Sequence, residues 1–316
     1  MQAGICTLFE GHYHYGLAAF TNSLYQHGYR GSIYAGYKGS LPTWASAAHE
    51  TLSLPWPRAR TLDIAADLQI HFLPLDTEFH LTNYKPFFML QLWEEQITEA
   101  NALAYFDPDI VIKCKWDFFE TWMSHGIALV HESDGNNMTA THPIRKEWEK
   151  VIIKSNRQTT RSMNSYINGG FCGVLKENIE FIKVWADIIE TGIKYFKLTP
   201  DQWNHSYTRT YIFCAQDQDA LNIAAMCSES PISEIGPEGM DFIQGGFTMS
   251  HALGTFKPWK KKFIWSALRG VSPSRADRSY WQSARGPIDI YHPMYIRMKQ
   301  VSISVAAFIS RFYRRN

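Results

Sequence analysis

The stretch Ala102-Leu-Ala-Tyr-Phe-Asp107-Pro-Asp109-Ile-Val-Ile112 sets two carboxylates two residues apart between two apolar runs. The runs are short and rich in aliphatic and aromatic residues, the composition of buried β-strands. In a locally extended chain, side chains at this spacing project to the same side. Pro108 has no N–H to give to a ladder and fixes its own φ, so pairing is interrupted and the segment turns outward. Two carboxylates converging at a strand end suit a hard divalent cation, Mn2+ or Mg2+. Asp-Pro-Asp is also ordinary turn chemistry, so the stretch alone leaves a polar turn and a metal site in balance.

Around this stretch, apolar runs at 5–9, 32–37, 68–73, 110–113, 127–131, 171–175 and 232–235 read as further strands. Helical periodicity begins near residue 16, with Leu17, Phe20 and Leu24 on one face and Gly28 as its stop. It returns over 84–99, 177–190 and 216–227. Strand–helix alternation of this kind predicts an α/β fold with a largely parallel sheet flanked by helices. Ligands in such folds bind beyond the carboxyl ends of the strands. Acids that directly follow an apolar strand are therefore the first candidates for chemistry.

Composition excludes several classes. The 316 residues are 45% hydrophobic and 19% charged with a formal net charge of +1, which rules out a disordered chain. No internal repeat, collagen period or coiled-coil composition is present. The five cysteines (Cys6, Cys114, Cys172, Cys214 and Cys227) form no C-x-x-C pair, so neither a disulfide framework nor a zinc knuckle is indicated. Four of them sit in apolar surroundings and read as small core residues. The first ten residues read as a strand rather than a signal peptide, and no run reaches the roughly 18 apolar residues of a spanning helix. A cytoplasmic protein is expected, so the sequons at Asn137 and Asn204 are given no weight.

Three further segments add chemistry to the aspartate pair. His251-Ala-Leu-Gly254-Thr-Phe-Lys257-Pro258-Trp259 supplies a metal-ligand type, a glycine for close backbone approach and a lysine for phosphate. Tyr166-Ile-Asn168-Gly169-Gly170 puts an amide and paired glycines at the entry to a strand, where a flat polar ligand could lie. Gln216-Asp217-Gln218-Asp219-Ala-Leu-Asn222 is an acid–amide–acid run at a helix start. Taken singly, each has a plain structural account: a hydrogen-bonded histidine, a tight turn, and acids complementing a helix N-terminus.

In this order the four segments resemble the metal-dependent GT-A glycosyltransferases, and glycosyltransferase family 8 in particular. That family shows D-x-D at a strand end, then N-[AS]-G, D-Q-D-x-L-N and H-x-x-G-x-x-K-P-W. The likeness covers about residues 1–260. It implies a GT-A fold with a mixed, mostly parallel sheet, and metal-dependent transfer of a hexose from a nucleotide-diphosphate sugar, a UDP-hexose, to a glycan or lipid-linked glycan acceptor with retention. It implies that Asp107, Asp109 and His251 bind Mn2+ or Mg2+ and that Asn168, Gly169 and Gly170 line the donor sugar. Gly254 and Lys257 would hold the diphosphate, Asp217 the sugar hydroxyls, and Gln218 would lie near the anomeric carbon. Lys85 takes the place of a basic donor-contacting residue, and Glu10 stands in for the family's acid after the first strand. Glycine in the middle of Asn168-Gly169-Gly170 departs from the pattern and enlarges the expected pocket. Two other classes compete. A sugar nucleotidylyltransferase would need a Gly-rich phosphate loop after the first strand, which Gly11-His-Tyr-His-Tyr-Gly16 is not. A non-catalytic carbohydrate-binding module would account for 11 Trp, 16 Tyr and 19 Phe by stacking on sugars, but not for the aspartate pair.

The small net charge is a cancellation. Residues 257–316 hold 13 Lys/Arg against Asp277 and Asp289, a net of +11, while the first 256 residues hold 18 basic and 28 acidic side chains, a net of −10. The reading divides the chain into a catalytic domain, 1–262, and a basic extension, 263–316. Past Pro293 the pattern is helical: Met294, Met298, Val301, Val305, Phe308 and Phe312 share one face, and Arg297, Gln300, Ser304, Arg311 and Arg315 the other. With 260–262 and Arg314-Arg315, this suggests an interfacial helix on the anionic inner face of a membrane. The competing account packs the apolar face on the protein's own core. No nucleic-acid motif accompanies the basic tail, so no nucleic-acid partner is expected.

Overall fold

The computed structural model describes residues 3–51, 54–97, 99–133, 138–203 and 210–312; Asn137, Asn204, Arg314 and Arg315 lie outside them. Along the chain run β1 (Ala3–Glu10), α1 (His14–Gln26), β2 (Gly31–Lys38), β3 (His49–Glu50), β4 (Arg60–Ala65), β5 (Leu68–Pro74), α2 (Leu81–Gln91), β6 (Ala102–Phe106), β7 (Ile110–Ile112) and α3 (Trp116–Met123). There follow β8 (Ile127–Val130), α4 (Pro143–Lys154), β9 (Phe171–Leu175), α5 (Glu180–Tyr195), α6 (Gln216–Cys227), β10 (Ile232–Ile235), β11 (Met249–His251), α7 (Phe263–Leu268), α8 (Arg275–Ser283) and α9 (Pro293–Ile309).

The main sheet has the order β10-β8-β9-β6-β1-β2-β5-β4-β3. Its centre, β6-β1-β2-β5, is parallel, and so is the pair β10-β8. One strand, β9, runs antiparallel to both its neighbours. The central strands are apolar on both faces because both faces are covered. Alternate residues divide between two cores. Cys6, Leu8, Leu103 and Tyr105 pack with Phe88, Trp185 and Leu221 on one side. Ile5, Phe9, Ala104 and Phe106 pack with Leu17, Phe20 and Phe119 on the other. The α/β, mostly parallel expectation therefore holds. Cys6, Cys172, Cys214 and Cys227 are buried, and none of the five cysteines forms a disulfide.

Local differences have local causes. The helix expected over 84–99 starts at Leu81, where the His80 side chain accepts from Thr82 N, and past Gln91 it widens into a π turn at Leu92–Gln96. The mixed composition of β4 hides a strand that exists by pairing with β5. A separate two-stranded ribbon joins β7 to β11, with His251 in register with Ile110. Its β7 half falls in the apolar run 110–113, but β11 is too short to show in any periodicity.

Past residue 257 the chain packs on the body. α8 lies against α1, β7 and β11. Asn22 of α1 accepts from Ile288 N and donates to Ile288 O, both at 2.9 Å. No helix among the described residues is long and apolar enough to cross a membrane.

One buried group gives a pH signature. His71 on β5 bridges Thr61 Oγ1 (2.7 Å) and Ser32 Oγ (3.2 Å) and stacks on Tyr34. Burial pushes its imidazole down to about 4. Because the folded value is lowered, protonation favours the unfolded chain. Stability should therefore be full above the unfolded value near 6.5 and decline as pH falls toward 4, by up to about 3 kcal/mol. Urea denaturation between pH 7 and 4 should show that slope, and His71→Asn should flatten it; parallel slopes would rule His71 out as the cause.

Candidate active site

The Asp-Pro-Asp stretch is a turn rather than extended chain, which corrects the expected local geometry. It closes with Ile110 N donating to Asp107 O (3.1 Å) and is held to the β9 entry by Asp107 N donating to Gly170 O (2.7 Å). Gly16 of α1 packs against it so closely that a Cβ there would lie 2.3 Å from Pro108 O. The turn nevertheless directs both carboxylates to one place, and the ribbon adds the histidine. Ala252 N donates to Asp109 O (3.1 Å), which draws β11 alongside. His251 Nε2 then sits 3.3 Å from Asp109 Oδ1 and 3.8 Å from Asp107 Oδ2. Ligand-capable atoms of all three lie within 4.8 Å of one another. His251 Nδ1 is buried with no hydrogen-bond partner among the described residues. Two carboxylates and an imidazole are a donor set that fits Mn2+ or Mg2+.

Two buried lysines supply the opposing charge. Lys257 Nζ lies 2.6 Å from Asp109 Oδ2 and donates to Ala252 O (2.7 Å). Lys85 Nζ lies 2.8 Å from Asp217 Oδ2 and 3.1 Å from Asp107 Oδ1, and donates to Gly169 O (2.9 Å). Burial by itself would raise the Asp109 carboxyl. Lys257 and His251 outweigh it and hold the group well below the usual carboxylate range. Burial likewise works to lower Lys85, but Asp107 and Asp217 pull it above the ordinary lysine value. Asp109 and both lysines thus stay charged at neutral pH, with compensation close at hand.

The Asn168–Gly170 turn is positioned from α6. Asn222 accepts from Ile167 N (2.8 Å) and donates to Ile167 O (2.9 Å). Asp219 accepts from Tyr166 Oη (2.7 Å), and Gln218 Oε1 accepts from Gly169 N (2.8 Å). Asn168 is buried: Nδ2 donates to Glu132 Oε2 (2.5 Å), and Oδ1 accepts from Gly170 N (2.8 Å). Gly170 has no room for a side chain, since a Cβ would stand 2.5 Å from His251 Cε1. Gly170→Ala is therefore expected to push the imidazole off its position and weaken Mn2+ binding about tenfold or more while the chain still folds. Titration calorimetry beside a thermal melt would check this.

Of the residues singled out in the sequence, Asp107, Asp109, His251, Lys257, Lys85, Asp217, Gln218, Asn168, Gly169 and Gly170 form one connected network of contacts. Glu10 and Gly254 are not tied into it. Glu10 ends β1, exposed and in register with Lys38. Gly254 is exposed at φ +85°, in the loop between His251 and Lys257. Sequence reading missed Tyr105, whose hydroxyl donates to Asp107 Oδ1 (2.8 Å), and the buried Glu132. Both were within reach: Tyr105 lies two positions before Asp107, and Glu132 follows an apolar strand as Asp107 does. A cleft of about 650 Å3 lined by Tyr29, Arg30, Trp116 and Glu120 opens at the opposite end of the strands and shares no residue with this network.

The doubly covered sheet, with its acidic turn beyond the end of β6, is the GT-A glycosyltransferase fold. The chain is similar over 95% of its length to the bifunctional glycosyltransferase WbbM in its apo form (TM-score 0.50, 13% identity) and spans 52% of that chain, about half its length. It is similar over 94% of its length to the galactosyltransferase LgtC in complex with donor and acceptor sugar analogues (TM-score 0.51, 14% identity), spanning 99% of that chain. No protein-family model matches the sequence. A comparison with curated proteins likewise gives no match.

Proposed function

We propose that the chain is a metal-dependent glycosyltransferase that moves a hexose from a nucleotide-diphosphate sugar, a UDP-hexose, to a glycan or glycolipid acceptor with retention. The observation that carries this reading is the Asp107–Asp109–His251 group, with Lys257 against it, set on a GT-A fold. A divalent ion held by those three residues would supply Lewis-acid stabilisation of the leaving diphosphate. Lys257 adds positive charge where negative charge grows, and Gly254 lets backbone approach the phosphates. Asp217, anchored by Lys85, takes sugar hydroxyls, while Asn168, Gly169 and Gly170 form the wall against which the sugar lies. Glu10, at the end of β1, reads the nucleobase. Gln218 lies near the anomeric carbon and is a poor nucleophile. The acceptor hydroxyl therefore attacks on the face the diphosphate leaves, and the departing phosphate takes its proton.

The abundance of aromatic residues does not favour a binding module. Trp56, Trp93, Trp116, Trp122, Trp148, Trp185, Trp259 and Trp281 are buried in the cores, where they pack rather than wait for sugar. The test is a panel of UDP-, GDP- and CDP-sugars with Mn2+, read by mass spectrometry for nucleotide release. Release from a UDP-hexose that stops on chelation with EDTA is expected. Release from none of the donors, or release indifferent to EDTA, would refute the reading.

A further inference from the structure

Two buried groups donate to the Asp107 carboxylate, and they treat its oxygens differently. Lys85 Nζ straddles it, 3.1 Å from Oδ1 and 3.5 Å from Oδ2. An ammonium with three N–H groups and a similar reach to both oxygens sets the charge balance here more than the orientation. Tyr105 Oη donates to Oδ1 at 2.8 Å. A hydroxyl has one proton to give, so this bond singles out one oxygen. Oδ2 is the oxygen left toward the imidazole, 3.8 Å from His251 Nε2.

The hydroxyl is itself held in place. Tyr105 lies on β6 in register with Cys6 of β1 and Cys172 of β9, and all three belong to one core. Residues in register on adjacent strands share a face, so two small thiols flank the large ring. Tyr105 is only 1% exposed, and Lys85 Nζ stands 5.3 Å from the ring centroid. The bond from Asp107 N to Gly170 O carries the β6–β9 pairing one step past Phe106. Tyr105 and Asp107, two positions apart, therefore leave the backbone on the same side. Packing fixes the ring, and the ring delivers the hydroxyl to the carboxylate.

We propose that Tyr105 is a positioning residue that presents Asp107 to the divalent ion through Oδ2 alone, and so biases the site toward Mn2+ or Mg2+ and against Ca2+. This deepens the transfer reading and rests on its metal site. The compact, near-octahedral shell of Mg2+ or Mn2+ is readily built from single carboxylate oxygens. Ca2+ is larger, takes about six to eight oxygens and accepts both from one carboxylate. With Oδ1 committed to the hydroxyl, Asp107 offers Ca2+ one oxygen in place of two. Tyr105→Phe removes the hydroxyl and keeps the ring, while Lys85 still compensates the carboxylate. The charge of the site is unchanged, and Asp107 becomes free to turn both oxygens inward.

Titration calorimetry of the full chain with Mn2+, and with Ca2+ by competition against Mn2+, tests the proposal in wild type and in Tyr105→Phe. A cooperative thermal melt in EDTA checks that the variant folds. Wild type should prefer Mn2+. The variant should bind Mn2+ about tenfold more weakly and Ca2+ at least as tightly as wild type, so the preference for Mn2+ falls at least about tenfold. A purely structural role would weaken both ions alike, and that result would overturn the proposal. Unchanged affinities for both ions, or a wild type that prefers Ca2+, would overturn it too. A wild type that binds Mn2+ with a preference the variant leaves intact defeats this proposal alone. A wild type that binds neither ion defeats the metal reading of the site, and this proposal with it.

Discussion

Lys85→Met is expected to cost the chain about 3–5 kcal/mol of stability and at least about a hundredfold in turnover. Lys85 is buried, and its ammonium bridges Asp107 and Asp217, residues that come from different elements and otherwise repel. A methionine fills the volume and removes the charge, leaving two carboxylates facing each other in poor solvent contact. Urea denaturation reads the first effect and nucleotide release the second. Adding Asp217→Asn removes one of the stranded charges, so the double variant should regain a good part of the stability and none of the turnover. If Lys85→Met unfolds with the wild-type midpoint, the ammonium is not what holds these carboxylates together.

The second large effect falls on Asp109. Its carboxylate touches His251 on one oxygen and Lys257 on the other, so it is the junction between the candidate ligands and the Lys257 ammonium. Asp109→Asn is expected to lower nucleotide release by about two to three orders of magnitude. A second readout does not depend on activity. Mn2+ at about a hundred times its Kd should stabilise the wild-type chain by about 2.7 kcal/mol, a gain seen as a higher thermal midpoint. In Asp109→Asn that gain should vanish. An undiminished midpoint shift in the variant would show that the ion, if bound, is held elsewhere.

How much of this could be read from residues alone depends on how local each signal is. The strands β1, β6 and β8 are legible because helices cover both of their faces, and an unbroken apolar run needs no partner to be recognised. Asp107 and Asp109 are legible for the same reason, as acids that stop such a run. β4 and β11 are not, since each exists only through the strand it pairs with. The Lys85–Asp217 contact joins positions 132 apart, and no spacing rule spans that distance. Asp219 and Asn222 stand in a recognisable run, yet their work is structural: they hold the 166–168 segment, which only the folded chain displays. On α9 the amphipathic pattern is plain. Which of two apolar stripes meets the body is decided by shape, because small Ala306 lets the helix approach where Phe308 could not.

The reversed strand β9 has a consequence for how such a protein can change. Because β9 enters the sheet at the edge where β8 leaves it, the chain between them departs and returns at one point. That neck is fastened by the His131–Ile167 bridge, by Glu132 N donating to Tyr166 O (2.7 Å) and by Asn168 N donating to Val130 O (2.8 Å). What the neck closes is not loose: α4 sends Trp148, Val151 and Ile152 into the core shared with α5 and α6, Trp148 Nε1 donates to Ile212 O (2.7 Å), and Thr160 N donates to Met226 O (2.9 Å). Evolution, or an engineer, can therefore alter α4 only by repacking the face of β8 and β9 that shares its core, where Ile127, Leu129, Cys172 and Val174 lie. The clasp thus marks where an excursion of the chain has become part of the body it left.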